Sequence, residues 1–246
     1  MTLLAVAFFL PLFPLSIVLN GAFVPLRSPR ARAVLLVLWP QCGVILLQML
    51  PHPVPHAFVP WALLTSGFYA LRLLTVRDMG MWAGFLATSA LALTWVLAAG
   101  SADPQALHLF TLWFSLPAAL LALLAQPLTK RFGAAYAGLQ DGLIGSLPRL
   151  SVVLAVTVLA AIATPPFPGF FALLHLLRML EPGGAIGVLL IWLTWGWAAT
   201  RLLQGFVFGR GRGTTAGDIG HAPMLSWSGA LGVFVVAGFM LTGGGL

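Results

Sequence analysis

His108, Thr111 and Ser115 are the side chains whose spacing best suits proton chemistry. They lie at positions i, i+3 and i+7 of one apolar stretch, so they share one face of a predicted helix. Pro117 frees a backbone carbonyl nearby on the same helix. This face predicts either a short hydrated proton path or a helix-packing stripe with satisfied hydrogen bonds.

A second set of polar residues, His175, Arg178 and Glu181, comes later in the chain. If one of these groups carries a proton, His175 is the candidate, because imidazole changes charge near neutral pH. A lone buried arginine is costly in a membrane. Arg178 is therefore expected to extend outward, pair with Glu181 or reach a partner subunit.

Two further sets of side chains carry no ionisable group. Gln41 and Gln48, seven residues apart, form a polar stripe that is expected to face a neighbouring helix. Trp192, Trp195 and Trp197 crowd one stretch, and we expect them to face lipid or a partner subunit.

The remaining residues do not form the patterns typical of a catalytic site or a metal site. The five histidines give no metal-binding pair at i, i+4 on one helix, no acidic pair shares a face, and no glycine loop follows a strand. The single cysteine, Cys42, excludes an intrachain disulfide and a cysteine-ligated iron–sulfur cluster, and it is expected to pack as a small apolar residue. The sequence predicts no enzyme activity, no metal and no cofactor.

The chain that positions these residues must be solvated by lipid. Of its 246 residues 60% are hydrophobic and 7% charged, whereas soluble domains carry about 25% charged residues. At roughly 20 apolar residues per crossing, the length allows about eight transmembrane helices, so an all-α polytopic membrane protein is predicted. The first span lacks a basic n-region, and we expect a retained anchor. The apolar runs place the spans at 2–24, 33–50, 57–75, 80–100, 105–127, 149–180, 184–206 and 222–243.

The basic residues alternate between successive loops. The odd-numbered loops and their flanks carry Arg27, Arg30, Arg32, Arg72, Arg77, Lys130, Arg131, Arg149, Arg210 and Arg212. The even-numbered loops carry no Lys or Arg. The positive-inside rule then predicts cytoplasmic odd loops and both termini outside, in a bacterial-type inner membrane. The net charge of +7 is thus a topology signal that implies weak attraction to lipid headgroups and no nucleic-acid partner.

The sixth predicted span is too long for one straight crossing of a hydrocarbon core of roughly 30 Å. Its middle reads ATPPFPGFF, where Pro165, Pro166 and Pro168 remove backbone donors and Gly169 permits the unusual torsions expected there. The sequence predicts a helix interrupted from Pro165 to Gly169. Interrupted helices at membrane depth often mark ion or substrate paths, although a hinge used only for packing has the same pattern.

Several motifs between residues 57 and 243 resemble one known family in their order along the chain. They are TVRDMGMWAGFLATSALALTWVLAAG, ALHLFTLWFSLPAALLALLAQ, YAGLQDGLIGSLPRLSVVLAV, ATPPFPGFF, TWGWAATRLLQGFVFGRGR and HAPMLSWSGALGVF. They resemble the second repeat of the antiporter-like subunits of respiratory complex I, Mrp sodium/proton antiporters and membrane-bound hydrogenases. The resemblance implies two leading helices over 1–56 and an antiporter-repeat-like bundle with a broken helix over 57–246.

The chain departs from the family pattern at the positions that would carry protons. The family's Asp-x-Lys-Arg match keeps Asp78 but has Gly80 and Met81 at the two basic positions. His108 matches the first of three spaced polar positions, and Leu112 and Leu116 stand at the other two. The position after the break that usually carries Lys or Glu is Leu173, and the only lysine is Lys130, in a predicted loop. Arg201 matches a family arginine, for which a structural ion pair is expected.

The resemblance and the departures together imply a shortened, charge-depleted subunit of an ion-translocating membrane complex. Its predicted role is to dock, seal or orient partners, which would be other membrane subunits or a soluble carbonic-anhydrase-like subunit of an inorganic-carbon uptake complex. The alternative is a subunit that conducts protons through His108, a hydrated PPFPG loop and His175.

Overall fold

The computed structural model describes residues 2–26, 28–100, 102–139, 142–208 and 217–242, which fold into twelve α-helices and no strand. The helices are α1 (Thr2–Phe9), α2 (Ser16–Ala22), α3 (Pro29–Gln48), α4 (Phe58–Leu73), α5 (Met79–Ala92), α6 (Thr94–Ala99), α7 (Pro104–Phe132), α8 (Leu143–Ser146), α9 (Pro148–Ala161), α10 (Pro168–Met179), α11 (Pro182–Phe206) and α12 (His221–Thr242). This confirms the all-α prediction for the described ranges.

Five helical stretches are long and apolar enough to cross a membrane, and they identify a multi-pass membrane protein. They are Pro29–Gln48, Met79–Ala99, Pro104–Phe132, Pro182–Phe206 and His221–Leu241. The other predicted spans, 2–24, 57–75 and 149–180, correspond to α1 with α2, to α4, and to α9 with α10. Each of these helices is shorter than a full crossing.

The stretch formed by α5 and α6 lies at the centre of the bundle. Its membrane-spanning window is 94% buried, against 17% for α12. Small residues such as Ala83, Gly84 and Ala87 let α2, α4 and α7 pack closely against α5. Large apolar side chains on the outer faces of α3, α4, α11 and α12 stay exposed, which fits contact with lipid or with other subunits.

The first predicted span is interrupted and is not the continuous helix that the sequence predicted. Pro11 and Pro14 remove two backbone donors between α1 and α2, so the helix cannot run through this segment. Side chains of α4 satisfy the freed groups: Phe13 N donates to Thr65 Oγ1 over 3.2 Å, and Trp61 Nε1 donates to Phe13 O over 2.7 Å. The chain therefore contains a second break whose backbone is covered by protein.

The odd-numbered loops meet at one end of the bundle. Ala137 N donates to Arg77 O, which joins the fifth loop to the third, and Gly138 N donates to Gly205 O at the end of α11. Asp218, in the seventh loop, accepts hydrogen bonds from the backbone N–H groups of Arg149 and Leu150 at the start of α9. The predicted loop residues Arg27, Arg210 and Arg212 lie outside the described residues.

The even-numbered loops meet away from these contacts. Gln48 Nε2, at the end of α3, donates to Pro104 O at the start of α7, over 3.4 Å. Met179, at the end of α10, lies against Gly100, where an added Cβ would approach its methyl carbon to 2.7 Å. Loops of the same parity are thus neighbours, as expected if each intervening segment crosses the bundle.

Two expectations for single side chains are wrong. Trp195 is fully buried and does not face lipid, because its ring fills the space beside Phe114 and its indole N–H bonds to Ser89. Cys42 is exposed on the outer face of α3, so it does not belong to the core.

Candidate functional site

The predicted break lies between α9 and α10. The helix ends at Ala161 and resumes at Pro168, and the two parts would extend about 21 Å and 18 Å at the usual helical rise. The unusual torsion falls on Ala163, whose φ is 57°, and not on Gly169 as the sequence reading expected. Gly169 lies inside α10, where an added Cβ would come within 3.1 Å of Ala163 Cβ. Its role is close packing rather than backbone freedom.

Polar groups at the break are satisfied by neighbouring protein. Thr164 donates from both its backbone N and its hydroxyl to Leu159 O, which closes the end of α9. Trp192 Nε1 on α11 donates to Ile162 O over 2.9 Å. These bonds provide the internal satisfaction that irregular backbone requires at membrane depth.

Helix α12 covers the beginning of α10. An added Cβ at Gly238 would come within 2.6 Å of Pro168 Cγ, so the two helices approach as closely as glycine permits. Phe234 packs beside Phe167 and against Trp113 of α7. The start of α10 is therefore packed against α7, α11 and α12, whereas Pro165 and Pro166 within the break are exposed.

The polar face of α7 is joined to α3. His108 Nδ1 and Gln41 Oε1 lie 2.6 Å apart, and Gln41 Nε2 donates to Thr111 Oγ1 over 2.7 Å. The Thr111 hydroxyl in turn contacts the carbonyls of Leu107 and His108 within 3.1 Å. Gln41 therefore faces a neighbouring helix, as its spacing suggested, and links two members of the predicted stripe.

Ser115 does not join this cluster. Its hydroxyl is fully buried and has no hydrogen-bond partner among the described residues. The bonded part of the stripe thus ends at Thr111, one helical turn before Ser115.

The second polar set lies on the outside of the bundle. His175 and Arg178 are exposed on α10, whereas Leu173 is completely buried on its inner face. Within the described ranges Arg178 extends outward without an ion pair to Glu181. The inner face of α10, next to the break, is apolar.

Asp78 is tied to α3 by an arginine. Its carboxylate caps α5 by accepting from Met81 N over 2.7 Å, and Arg32 Nη1 lies 3.9 Å from it. Arg32 also donates to the carbonyls of Phe23 and Leu26, each over 2.7 Å. An added Cβ at Gly80 would collide with the Arg32 guanidinium. The guanidinium thus occupies the space that a side chain at position 80 would need.

Two buried hydrogen-bond networks were not predicted from the sequence. In the first, Asn20 Nδ2 bonds to Thr88 Oγ1 over 3.0 Å, which connects α2 to the central helix. In the second, Ser89 Oγ bonds to Ser66 and accepts from Trp195 Nε1 over 2.9 Å. Isolated polar residues in long apolar runs were the available signal, but their partners are distant in sequence.

No Asp, Glu, Lys, Arg or His is buried in the described ranges, and the buried phenol of Tyr69 donates to Ser16 Oγ over 2.9 Å. The other buried polar residues carry hydroxyl or amide groups. They are Ser16, Asn20, Thr65, Ser66, Thr88, Ser89, Thr94, Thr111, Ser115, Ser151 and Thr157. Hydroxyl and amide groups can hydrogen-bond and orient water, but they do not take up a proton near neutral pH. In the same ranges no three His, Cys, Asp or Glu residues gather as metal ligands would.

Solved structures share this fold. A chain of respiratory complex I from Thermus thermophilus matches with a TM-score of 0.81 and 20% identity, over 98% of this chain and 54% of that one. A chain of the Mrp complex from Dietzia sp. DQ12-45-1b matches with a TM-score of 0.83 and 16% identity, over 96% and 55%. A chain of the membrane-bound sulfane sulfur reductase, an archaeal respiratory membrane complex, matches with a TM-score of 0.82 and 16% identity, over 96% and 51%.

These matches confirm the expected antiporter-like fold. The chain spans about half the length of the solved chains that it matches. Because the first match covers 98% of the chain, it includes most of segment 1–56 as well as the bundle that follows. No protein-family model and no curated protein matches the sequence.

Proposed function

We propose that the chain is an integral subunit of a multi-subunit ion-translocating complex and serves there as a docking or scaffold subunit with an incomplete ion path. This proposal is carried by the absence of buried Asp, Glu, Lys, Arg and His side chains in the described ranges. Proton-conducting membrane proteins place titratable side chains at membrane depth, where water is scarce. Leu173 and Gly80 stand where the resemblance implied charged residues.

The membrane arrangement proposed with it has about eight crossings in a bacterial-type inner membrane. This count is supported by the contacts among the odd-numbered loops at one end of the bundle and among the even-numbered loops elsewhere. In this arrangement α1–α2 and α9–α10 each form one interrupted crossing. The basic odd loops favour a cytoplasmic position for that end and external termini. The complex would be complex I-like, hydrogenase-like or an inorganic-carbon uptake complex, with membrane subunits and a soluble catalytic subunit as partners.

A second candidate function is proton conduction through His108, the PPFPG loop and His175. The hydrogen bonds from His108 through Gln41 to Thr111 favour it, because they form a short polar chain between two helices. His175, however, is exposed on α10. A path between the two histidines would need water beside the break.

Replacing both histidines separates the two functions. We expect His108→Leu with His175→Leu to leave proton uptake by the intact complex in membrane vesicles unchanged, because a docking subunit contributes no side chain to the proton path. The matched control replaces His52 and His56 in the exposed second loop. Loss of uptake by the first variant alone, with normal assembly, would establish conduction and overturn the scaffold role.

A further inference from the structure

A polar cleft opens where α4 and α11 end, beside the third and fifth loops. Its volume is about 520 Å³. The lining combines apolar residues of both helices, such as Leu73 and Leu202, with Thr75, Arg77 and Arg201. Both arginine side chains are exposed.

The two helices that form the cleft run parallel. An added Cβ at Gly67 would lie 3.9 Å from Ile191, and one at Gly187 would lie 3.7 Å from Leu63. The two contacts are four residues apart on both helices and follow the same order along each, so α4 and α11 point in the same direction. Their carboxyl ends therefore reach the same side of the membrane, so Arg77 and Arg201 lie at one interface.

Among the described residues, no group compensates the charges of these arginines. Neither guanidinium has a hydrogen bond or an ion pair with any residue in the described ranges, and no acidic residue of those ranges lines the cleft. By contrast, Arg32, Arg131 and Arg149 all donate to backbone carbonyls. Two free guanidinium groups at a cleft attract an anion, and their planar donor pairs match the oxygens of a phosphate.

Exposed apolar residues precede the cleft along both helices. Leu193 and Trp197 are 70% and 64% exposed, and with Arg201 they follow one another at four-residue intervals along α11. On α4, Phe68 and Leu71 are exposed as well. Arg201 lies five residues before the end of α11, about 7.5 Å along the axis, from where its long side chain can extend to the lipid headgroups.

We infer that this cleft binds an anionic phospholipid. Arg77 and Arg201 hold the phosphate, and an acyl chain lies along Trp197 and Leu193. A free phosphate ion would contact only the arginines, whereas a phospholipid would contact the arginines with its headgroup and the exposed apolar residues with its acyl chain. The inference depends on membrane insertion and is independent of whether the subunit conducts protons.

Native mass spectrometry of the detergent-solubilised full chain tests this site, with phosphatidylglycerol and phosphatidylcholine as probes. We expect wild type to prefer phosphatidylglycerol. Arg77→Gln with Arg201→Gln should weaken its binding roughly 30-fold, because each basic residue near an anionic surface contributes about five-fold. The lysine versions, R77K and R201K, should retain most of the preference.

The matched control removes two exposed charges that lie outside the cleft, with Arg30→Gln and Lys130→Gln. An equal loss in this control would show diffuse charge attraction and overturn the site. Competition by millimolar inorganic phosphate would assign the cleft to a free anion instead. Loss of a copurifying membrane subunit from the cleft variant, without loss of lipid, would assign it to an acidic partner. Each of these outcomes contradicts the phospholipid assignment.

Discussion

Replacing Gly238 with alanine tests how α12 packs on the broken helix. An added Cβ would lie 2.6 Å and 2.7 Å from two carbons of the Pro168 ring, well inside the 3.4 Å at which ordinary contact begins. The proline ring is fixed to the backbone and cannot swing away, so α12 must move outward. Overpacking of this kind costs about 1–3 kcal/mol.

Gly232→Ala on the same helix is the matched control. An added Cβ there meets nothing within 4 Å, so alanine brings only its helix propensity, worth up to about 1 kcal/mol. The two variants should therefore differ in stability by about 1–3 kcal/mol.

Thermal unfolding of the purified chain in mild detergent measures this difference. At about 2–4 °C per kcal/mol for a chain of this size, the midpoint of Gly238→Ala should fall at least 2 °C below that of Gly232→Ala. Equal midpoints would refute the close approach of α12 to Pro168.

Two further substitutions probe the polar contacts that hold the bundle together. Gly80→Ala should displace the Arg32 guanidinium from the carbonyls it contacts and lower the unfolding midpoint, whereas Gly196→Ala, which has open space around it, should not. Ser89→Ala leaves the buried Trp195 indole N–H without its acceptor and should cost about 1–2 kcal/mol in unfolding free energy. Adding Trp195→Phe to Ser89→Ala should cost less than the sum of the single variants, and strict additivity would contradict the bond.

The sequence was sufficient for features that depend on local pattern. Long apolar runs located the helices, since lipid requires every backbone group to be satisfied within its own segment. The cluster of prolines located the break between α9 and α10. The seven-residue spacing of Gln41 and Gln48 predicted that they face a neighbouring helix, where they contact α7.

Features that depend on tertiary partners could not be predicted in the same way. Pro11 and Pro14 alone do not predict a break, because prolines are tolerated in membrane helices. The break depends on Trp61 and Thr65 of α4, which bond to the backbone of Phe13 between them. The positive φ falls on Ala163, and Gly169 instead gives α10 room to pack closely against it. Neither assignment follows from residue type alone.

The most direct test of the central claim is to isolate the protein from its native membrane in mild detergent and measure ion flux with and without its partners. We predict that it copurifies with other membrane subunits, and that the chain reconstituted alone into vesicles moves no protons. A chain that is purified alone and drives proton flux above that of empty vesicles would contradict the proposed scaffold role.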